Sequence, residues 1–205
     1  MLYFLHHWMG GAFMGRTVKQ PEVRRQEILK AALDLFCEKG YEGASIADLA
    51  RRLGISQGLC YRYFPSKRAL LDCAVDQYAQ QQVRMLSPVL CDAAKSLRQR
   101  MLDMPTPGHY ETGGFYDAFH SESGRRMHQI LSVRVCELLT PLVQKQLEHA
   151  IKAGEIVSND PESDASFLIW GQLGLLTRFD LPGRERFRRV QRWVIAWLDA
   201  AAPAR

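Results

Sequence analysis

The sequence predicts an all-α protein, and three observations predict it. Apolar residues recur at offsets of three, four and seven in one segment after another, the period of a helix with one buried face. Serine or proline opens several of these segments, and glycine or proline closes them. No run of alternating β-branched residues competes for a strand. With 205 residues, of which 47% are hydrophobic, there is ample material for a packed core, so a disordered tail protein is excluded.

Each element follows in order. From Glu22 to Lys39, the residues Ile28, Ala32, Leu35 and Phe36 share one helical face, and Gly40 supplies the stop. Ser45 offers an N-cap with Asp48 three residues on, an aspartate form of the capping box. Behind it Ile46, Leu49, Ala50 and Leu53 make the buried stripe of a short helix that ends at Gly54. A third short helix, Ser56 to Tyr63, must stop before Pro65, because the residue preceding a proline is pushed out of helical geometry. Ser66 caps a fourth, with Leu71, Ala74, Val75 and Tyr78 on its apolar face.

Beyond Met85 the segments lengthen. Pro88 is expected to open a helix running to about Asp103, and Met104 to Gly114 has the Pro, Gly and Thr content of a loop. Gly124 to Ala153 reads as one long amphipathic stretch in which Pro141 predicts a kink or a restart, with Gly154 as its end. Pro161 starts a segment that is apolar on nearly every face after its first turn. Such a helix must be buried on all sides. The last helix, Arg184 to Ala200, keeps Phe187, Val190, Val194, Trp197 and Leu198 on one side and Arg188, Arg189 and Arg192 on others.

Charge divides the chain. Through Arg68 there are 11 basic and 6 acidic residues, and from Ala69 onward 16 of each, so the whole surplus of +5 lies in the first third. A basic unit joined to a neutral, larger one points to a polyanion-binding module attached to a part with a different task. The five cysteines, Cys37, Cys60, Cys73, Cys91 and Cys136, show no C-x-x-C spacing and read as reduced thiols of a cytoplasmic protein. No uncharged apolar stretch is long enough to span a membrane. The opening MLYFLHHWMGGAFMG lacks a basic leader and is broken by His6 and His7, which argues against a secretory signal. Met14 offers an alternative start, leaving the first 13 residues as an upstream extension.

Two short helices joined at Gly54 and crossed by a preceding one have the makings of a helix-turn-helix, whose second helix enters the major groove. The stretch from Arg25 to Leu71 carries R-x-x-I-L-x-A-A-x-x-L-F, then G-Y-x-G-x-S-I-A-D-L-A, then L-G-I-S-x-G-x-x-Y-x-Y-F-x-S-K-x-A-L-L. On these motifs it resembles the DNA-binding domain of TetR-type, tetracycline-repressor-like regulators. The resemblance divides the chain into an extension over residues 1–21, a DNA-binding domain over 22–82 and an effector-binding and dimerisation domain over 83–205.

The resemblance implies that Ser45, Tyr61, Tyr63 and Lys67 touch the phosphate backbone and that Ser56, Gln57 and Leu59 face bases. The residue types suit those roles. Hydroxyls donate to phosphate oxygens, Lys67 adds a point charge, and Gln57 can pair bidentately with adenine. Leu59 is apolar where many family members are small or polar, and it offers contact to a thymine methyl. Cys60 stands where the family usually has a larger aliphatic residue.

The neutral remainder is implied to dimerise and to enclose a small-molecule site. The apolar run Phe167 to Leu176, with Gly171 and Gly174, and the last helix with Phe187, Val194 and Trp197, suit a four-helix interface between two copies. Pocket candidates are Tyr110, Phe115, Tyr116, Phe119, His120, His128 and Trp170, which point to a hydrophobic or aromatic effector. His120, His128 and Cys136 stand eight apart, too loosely spaced for a zinc site. No metal or cofactor is expected. No nucleophile elbow, phosphate loop, H-E-x-x-H or dinucleotide fingerprint occurs, which argues against an enzyme. The expected function is therefore a homodimeric repressor that binds double-stranded operator DNA and is released by an effector. The competing reading is an all-α protein-interaction module without specific DNA binding.

Overall fold

A computed structural model describes residues 20–105, 125–178 and 180–203. Among these residues the chain is helical throughout, with no strand. The N-terminal unit holds α1 (Pro21–Gly43), α2 (Ile46–Leu53), α3 (Gln57–Tyr63) and the first half of α4 (Lys67–Leu90). The body holds the rest of α4, then α5 (Leu97–Leu102), α6 (Arg125–Lys152), α7 (Pro161–Leu176) and α8 (Gly183–Ala200).

Local chemistry sets the N-terminal boundaries. Ser45, Ser56 and Ser66 each turn a side-chain oxygen onto the backbone N–H three residues on, at 3.0, 3.2 and 3.0 Å, and so start α2, α3 and α4. Gly54 ends α2 at φ 63°, the left-handed region that glycine enters without steric cost. Gly40 does the same at φ 72°, though helical turns resume after it as far as Gly43, so the predicted stop is a sharp bend inside α1. The four helices close on Ile28, Leu29, Phe36, Leu49, Cys60 and Leu70, all almost fully buried, and Met127 and Leu131 of α6 seal the base.

A second core lies in the body, built on Leu90, Leu97, Val143, Leu147, Ala165, Leu168, Val190, Val194 and Leu198. Arg100 is buried beside it. Its Nη1 donates to the Leu90 carbonyl at 3.2 Å and to Gln146 Oε1 at 2.8 Å, fastening the end of α4 to α5 and α6. Val157 N donates to the Ala201 carbonyl at 2.7 Å, tying the loop before α7 to the end of α8.

Four expectations change. Pro88 does not open a helix; it sits in the last turn of α4, and the chain breaks over residues 91–96 before α5. Pro141 does not restart the helix: α6 runs from Arg125 to Lys152 with the proline inside it. Next to each proline a hydroxyl bonds back one turn: Ser87 Oγ donates to the Val83 carbonyl at 2.6 Å and Thr140 Oγ1 to that of Cys136 at 2.8 Å. The α7 helix is not buried on all sides within one chain, since Phe167 is 73% and Trp170 39% exposed. On α8, Phe187, Val194 and Trp197 turn inward toward a cavity, and Trp193 is the aromatic left outside at 41% exposure.

Candidate nucleic-acid interface and ligand cavity

The helix α3 presents Gln57, Gly58, Tyr61 and Arg62 to solvent while Cys60 anchors it from below. Gln57 and Tyr61 are one turn apart, so they share a face. Leu59 and Tyr63 are half-buried against the unit they stand on. Tyr63 packs against the N-terminal core.

Ser45 and Ser56 are exposed, but their oxygens are engaged as caps. Ser45 Oγ both accepts from Asp48 N and donates to the Asp48 carboxylate, at 3.0 and 2.7 Å. That hydroxyl, with help from Lys39 and Arg51, holds the Asp48 carboxyl below the usual carboxylate range. Ser45 is thereby fixed in orientation, while Ser56 retains its O–H as a donor.

Lys67 opens α4, and its Nζ lies 4.2 Å from the centre of the Tyr41 ring, within cation–π range. Sequence reasoning missed Tyr41 as the seat of this lysine. The signal was the left-handed Gly40, which re-aims the residue that follows. The basic neighbours sort differently. Arg52 makes a two-pronged pair with Glu38 that clips α2 to α1 and holds the Glu38 carboxyl down, whereas Arg51 extends outward with its side chain 76% exposed. Arg25 lies over Phe64, 5.2 Å from the ring centre.

In the body, α4 to α8 line a cavity of about 320 Å³. Its described wall is mostly Leu, Val, Ile and Met. The polar groups are Tyr78 and Gln82 on α4, His128 and Ser132 on α6, Gln172 on α7, and Arg186 and Gln191 on α8. His128 Nδ1 stands 3.2 Å from Ser132 Oγ. Cys136 also lines the space, and burial pushes its thiol up to about 11, so it is protonated at neutral pH. Among the described residues no group of three or more His, Cys, Asp or Glu is gathered as a metal would need.

Of the pocket candidates, His128 lies on this wall and Trp170 does not; Trp170 stands on the outer face of α7 with Phe167. Tyr110, Phe115, Tyr116, Phe119 and His120 lie outside the described residues. The polar groups of α4, α7 and α8, which spacing could not connect to α6 from the sequence, come together only through the fold.

The outer face of α7 and α8 is the third feature. Phe167, Trp170, Gly171 and Gly174 fall at successive turns of α7, all exposed, and Trp193, Ala196 and Ala200 run along α8. Among the described residues, nothing beyond the helix's own backbone and the adjoining residues lies within 4 Å of where a Cβ on Gly171 or Gly174 would stand.

Residues 28–74 match the family model for bacterial regulatory proteins, tetR family. A transcriptional regulator of the helix-turn-helix type from Bacillus subtilis, YvdT, is 43% identical over 53 residues, covering 26% of this chain and 27% of that protein. The regulator BetI of Proteus mirabilis is 35% identical over 94 residues, covering 44% of this chain and 45% of BetI. The chain thus spans less than half the length of these curated relatives. Solved structures extend the likeness of fold beyond the N-terminal unit. A TetR-family regulator from Mesorhizobium loti superposes with a TM-score of 0.65 at 20% identity, covering 90% of this chain and all of that one. The TetR-family regulator CifR, solved as a cysteine mutant with operator DNA, gives a TM-score of 0.59 at 24% identity over 87% of this chain and 97% of its own.

Proposed function

We propose that this chain, whose N-terminal unit is a TetR-family helix-turn-helix domain, is a DNA-binding transcriptional regulator and not an enzyme. The observation that carries this reading is the match over residues 28–74 together with the presentation of Gln57 and Tyr61 on the open face of α3. In this reading Gln57, Ser56 and Leu59 face bases. Tyr61, Tyr63 and Lys67 hold phosphates, Tyr41 supports Lys67 from beneath, and Ser45 joins them when its O–H turns from Asp48 to the phosphate. The surplus of +5 in the first 68 residues favours the polyanion.

The chain acts as a homodimer of the cytoplasm, joined through the exposed faces of α7 and α8. Large apolar side chains in contiguous array on a surface favour such a partner. Two-fold symmetry then sets two α3 helices in successive major grooves, about 34–36 Å apart, on a palindromic site. The body cavity receives a small, largely apolar effector that releases the operator, so the regulator represses. That coupling need amount to only about 1–3 kcal/mol.

A gel-shift titration of the full chain on the intergenic DNA beside its own gene tests the reading. The expected result is retention that exceeds retention of random DNA and falls steeply with salt. Equal affinity for both DNAs at every salt would overturn it in favour of a protein-interaction module.

A further inference from the structure

The wall of the body cavity carries three carboxamides. Gln82 of α4, Gln172 of α7 and Gln191 of α8 are each half-buried, and each lines the space. Among the described residues, none of these three side chains has a hydrogen-bond partner. Gln146 in the same body shows the contrast: it is buried, and its Oε1 accepts from Arg100 at 2.8 Å. A carboxamide carries one acceptor oxygen and two N–H donors, and leaving them unbonded beside Leu, Val, Ile and Met is costly. Each of the three is therefore completed by whatever fills the space.

The ionisable groups of the wall, by contrast, are engaged within the protein. Arg186 Nη1 donates to the Leu176 carbonyl at 2.7 Å, His128 Nδ1 lies 3.2 Å from Ser132 Oγ, and Tyr78 has an interaction of its own. No aspartate, glutamate or lysine stands on the described wall. The groups that the glutamines offer are neutral. They match a carbonyl or a hydroxyl, and they do not repay the cost of stripping water from a full charge. Their placement matters as well. Both α4 and α7 pack along α6, and α8 packs on α7, so the cavity separates α4 from the hairpin of α7 and α8. Gln82 thus faces the space from one side, and Gln172 and Gln191 face it from the other.

We propose that the cavity takes an uncharged ligand: an apolar body bearing at least two separate carbonyl or hydroxyl groups, one bonded to Gln82 and another to Gln172 or Gln191. Such a molecule bridges α4, the helix that begins in the N-terminal unit, to α7 and α8. A cavity of about 320 Å³ suits a molecule at the small end of the range for organic ligands, about 300–1,000 Å³. The proposal rests on the reading of this cavity as the effector site, but it concerns which molecule binds, and binding can be measured apart from DNA.

The test is calorimetric titration of the full chain with four probes of equal chain length: decane-1,10-diol, decan-1-ol, decanoate and decyltrimethylammonium. The diol is expected to bind at least as tightly as decanol, although its second hydroxyl costs more to take out of water, and at least about fivefold more tightly than either ion. Gln82→Leu, and separately the double variant Gln172→Leu with Gln191→Leu, put apolar groups of similar size where the carboxamides stood. Each should lower the diol affinity about three- to tenfold and change that of decanol less. Without ligand both variants should melt no lower than the parent, because no bond within the protein is lost. Decanol or either ion binding more tightly than the diol, no binding by any probe, or a diol affinity that neither variant changes would each overturn the proposal. So would a large drop in the melting midpoint of the variants, which would make the glutamines part of the packing. Gel shifts on the same samples separate the two readings. If the diol binds but leaves operator retention unchanged, the release mechanism fails and the ligand class stands. If the diol fails to bind while the operator is retained, the reverse holds.

Discussion

The N-terminal unit and the body are built from the same kind of helix, yet they complete themselves differently. In the first, α1 to α4 with Met127 and Leu131 of α6 fill the interior, with Ile28, Ala32 and Cys37 at 0% exposure, and the outside is mostly charge, hydroxyl and one helix face. In the body the interior keeps about 320 Å³ unfilled, and the outside keeps Phe167, Trp170 and Trp193 in water. The first closes on a filled core; the second keeps unfilled space within and large apolar side chains without. The difference teaches where stability and where responsiveness reside. A closely packed core transmits displacement as a rigid block, whereas walls around an unfilled space have more than one way to settle.

Mutations can break or sharpen this contrast. The largest effect is expected in the filled core, where Ile28→Ala or Leu49→Ala should cost about 2–5 kcal/mol of stability. Val135→Ala on the cavity wall should cost less than either, because its neighbours already border space. Thermal melts of the three variants would show it, and a cavity-wall loss as large as the core losses would erase the contrast. Next comes the outer face: Phe167→Glu should leave the chain folded but weaken self-association by roughly 2 kcal/mol or more, read by sedimentation. A variant sedimenting like the parent would place the dimer contact elsewhere.

On DNA, Gln57→Ala should change which sequence is preferred by about 1–3 kcal/mol at one position, whereas Tyr61→Phe and Lys67→Ala weaken all sequences alike. Sequence-blind losses for all three would remove Gln57 from base reading. Ser66→Ala should cost about 1 kcal/mol through loss of the α4 cap, visible as a small shift in the melting midpoint. The gentlest test is chemical. Exposed Cys91 should be labelled by a thiol reagent at neutral pH, while Cys136, buried and with its thiol pushed up to about 11, reacts only on unfolding.

Legibility followed the same division. The caps at Ser45 and Ser66 and the turn at Gly54 were readable because each is decided by one residue and its near neighbours. The expected roles of Gln57, Tyr61 and Lys67 came from a motif confined to that local pattern. Pro88 and Pro141 misled because a proline is compatible with a helix start, a kink or an uninterrupted helix. Here the helix runs through both, with Pro88 in the last turn of α4 and Pro141 inside α6. The cavity wall was the least legible part. Tyr78, Gln82, His128 and Arg186 come from three helices far apart in sequence, and only packing brings them to the wall of one space. The α8 pattern likewise named an apolar side correctly but could not say that this side faces inward and leaves Trp193 for the outside.

The α4 helix has a mechanical consequence of its own. Its 24 residues form a rod about 36 Å long that begins at Lys67 in the N-terminal unit and ends at Leu90, where Arg100 grips the carbonyl. Pivoting on that grip, each degree of tilt sweeps the Lys67 end through about 0.6 Å. A side-chain adjustment at Tyr78 or Gln82, close to the middle of the rod, is thus read out at roughly double amplitude at its tip. In a symmetric pair the two tips move together, so a tilt of about five degrees changes their separation by up to about 6 Å, a sizeable fraction of the 34–36 Å that separates successive grooves.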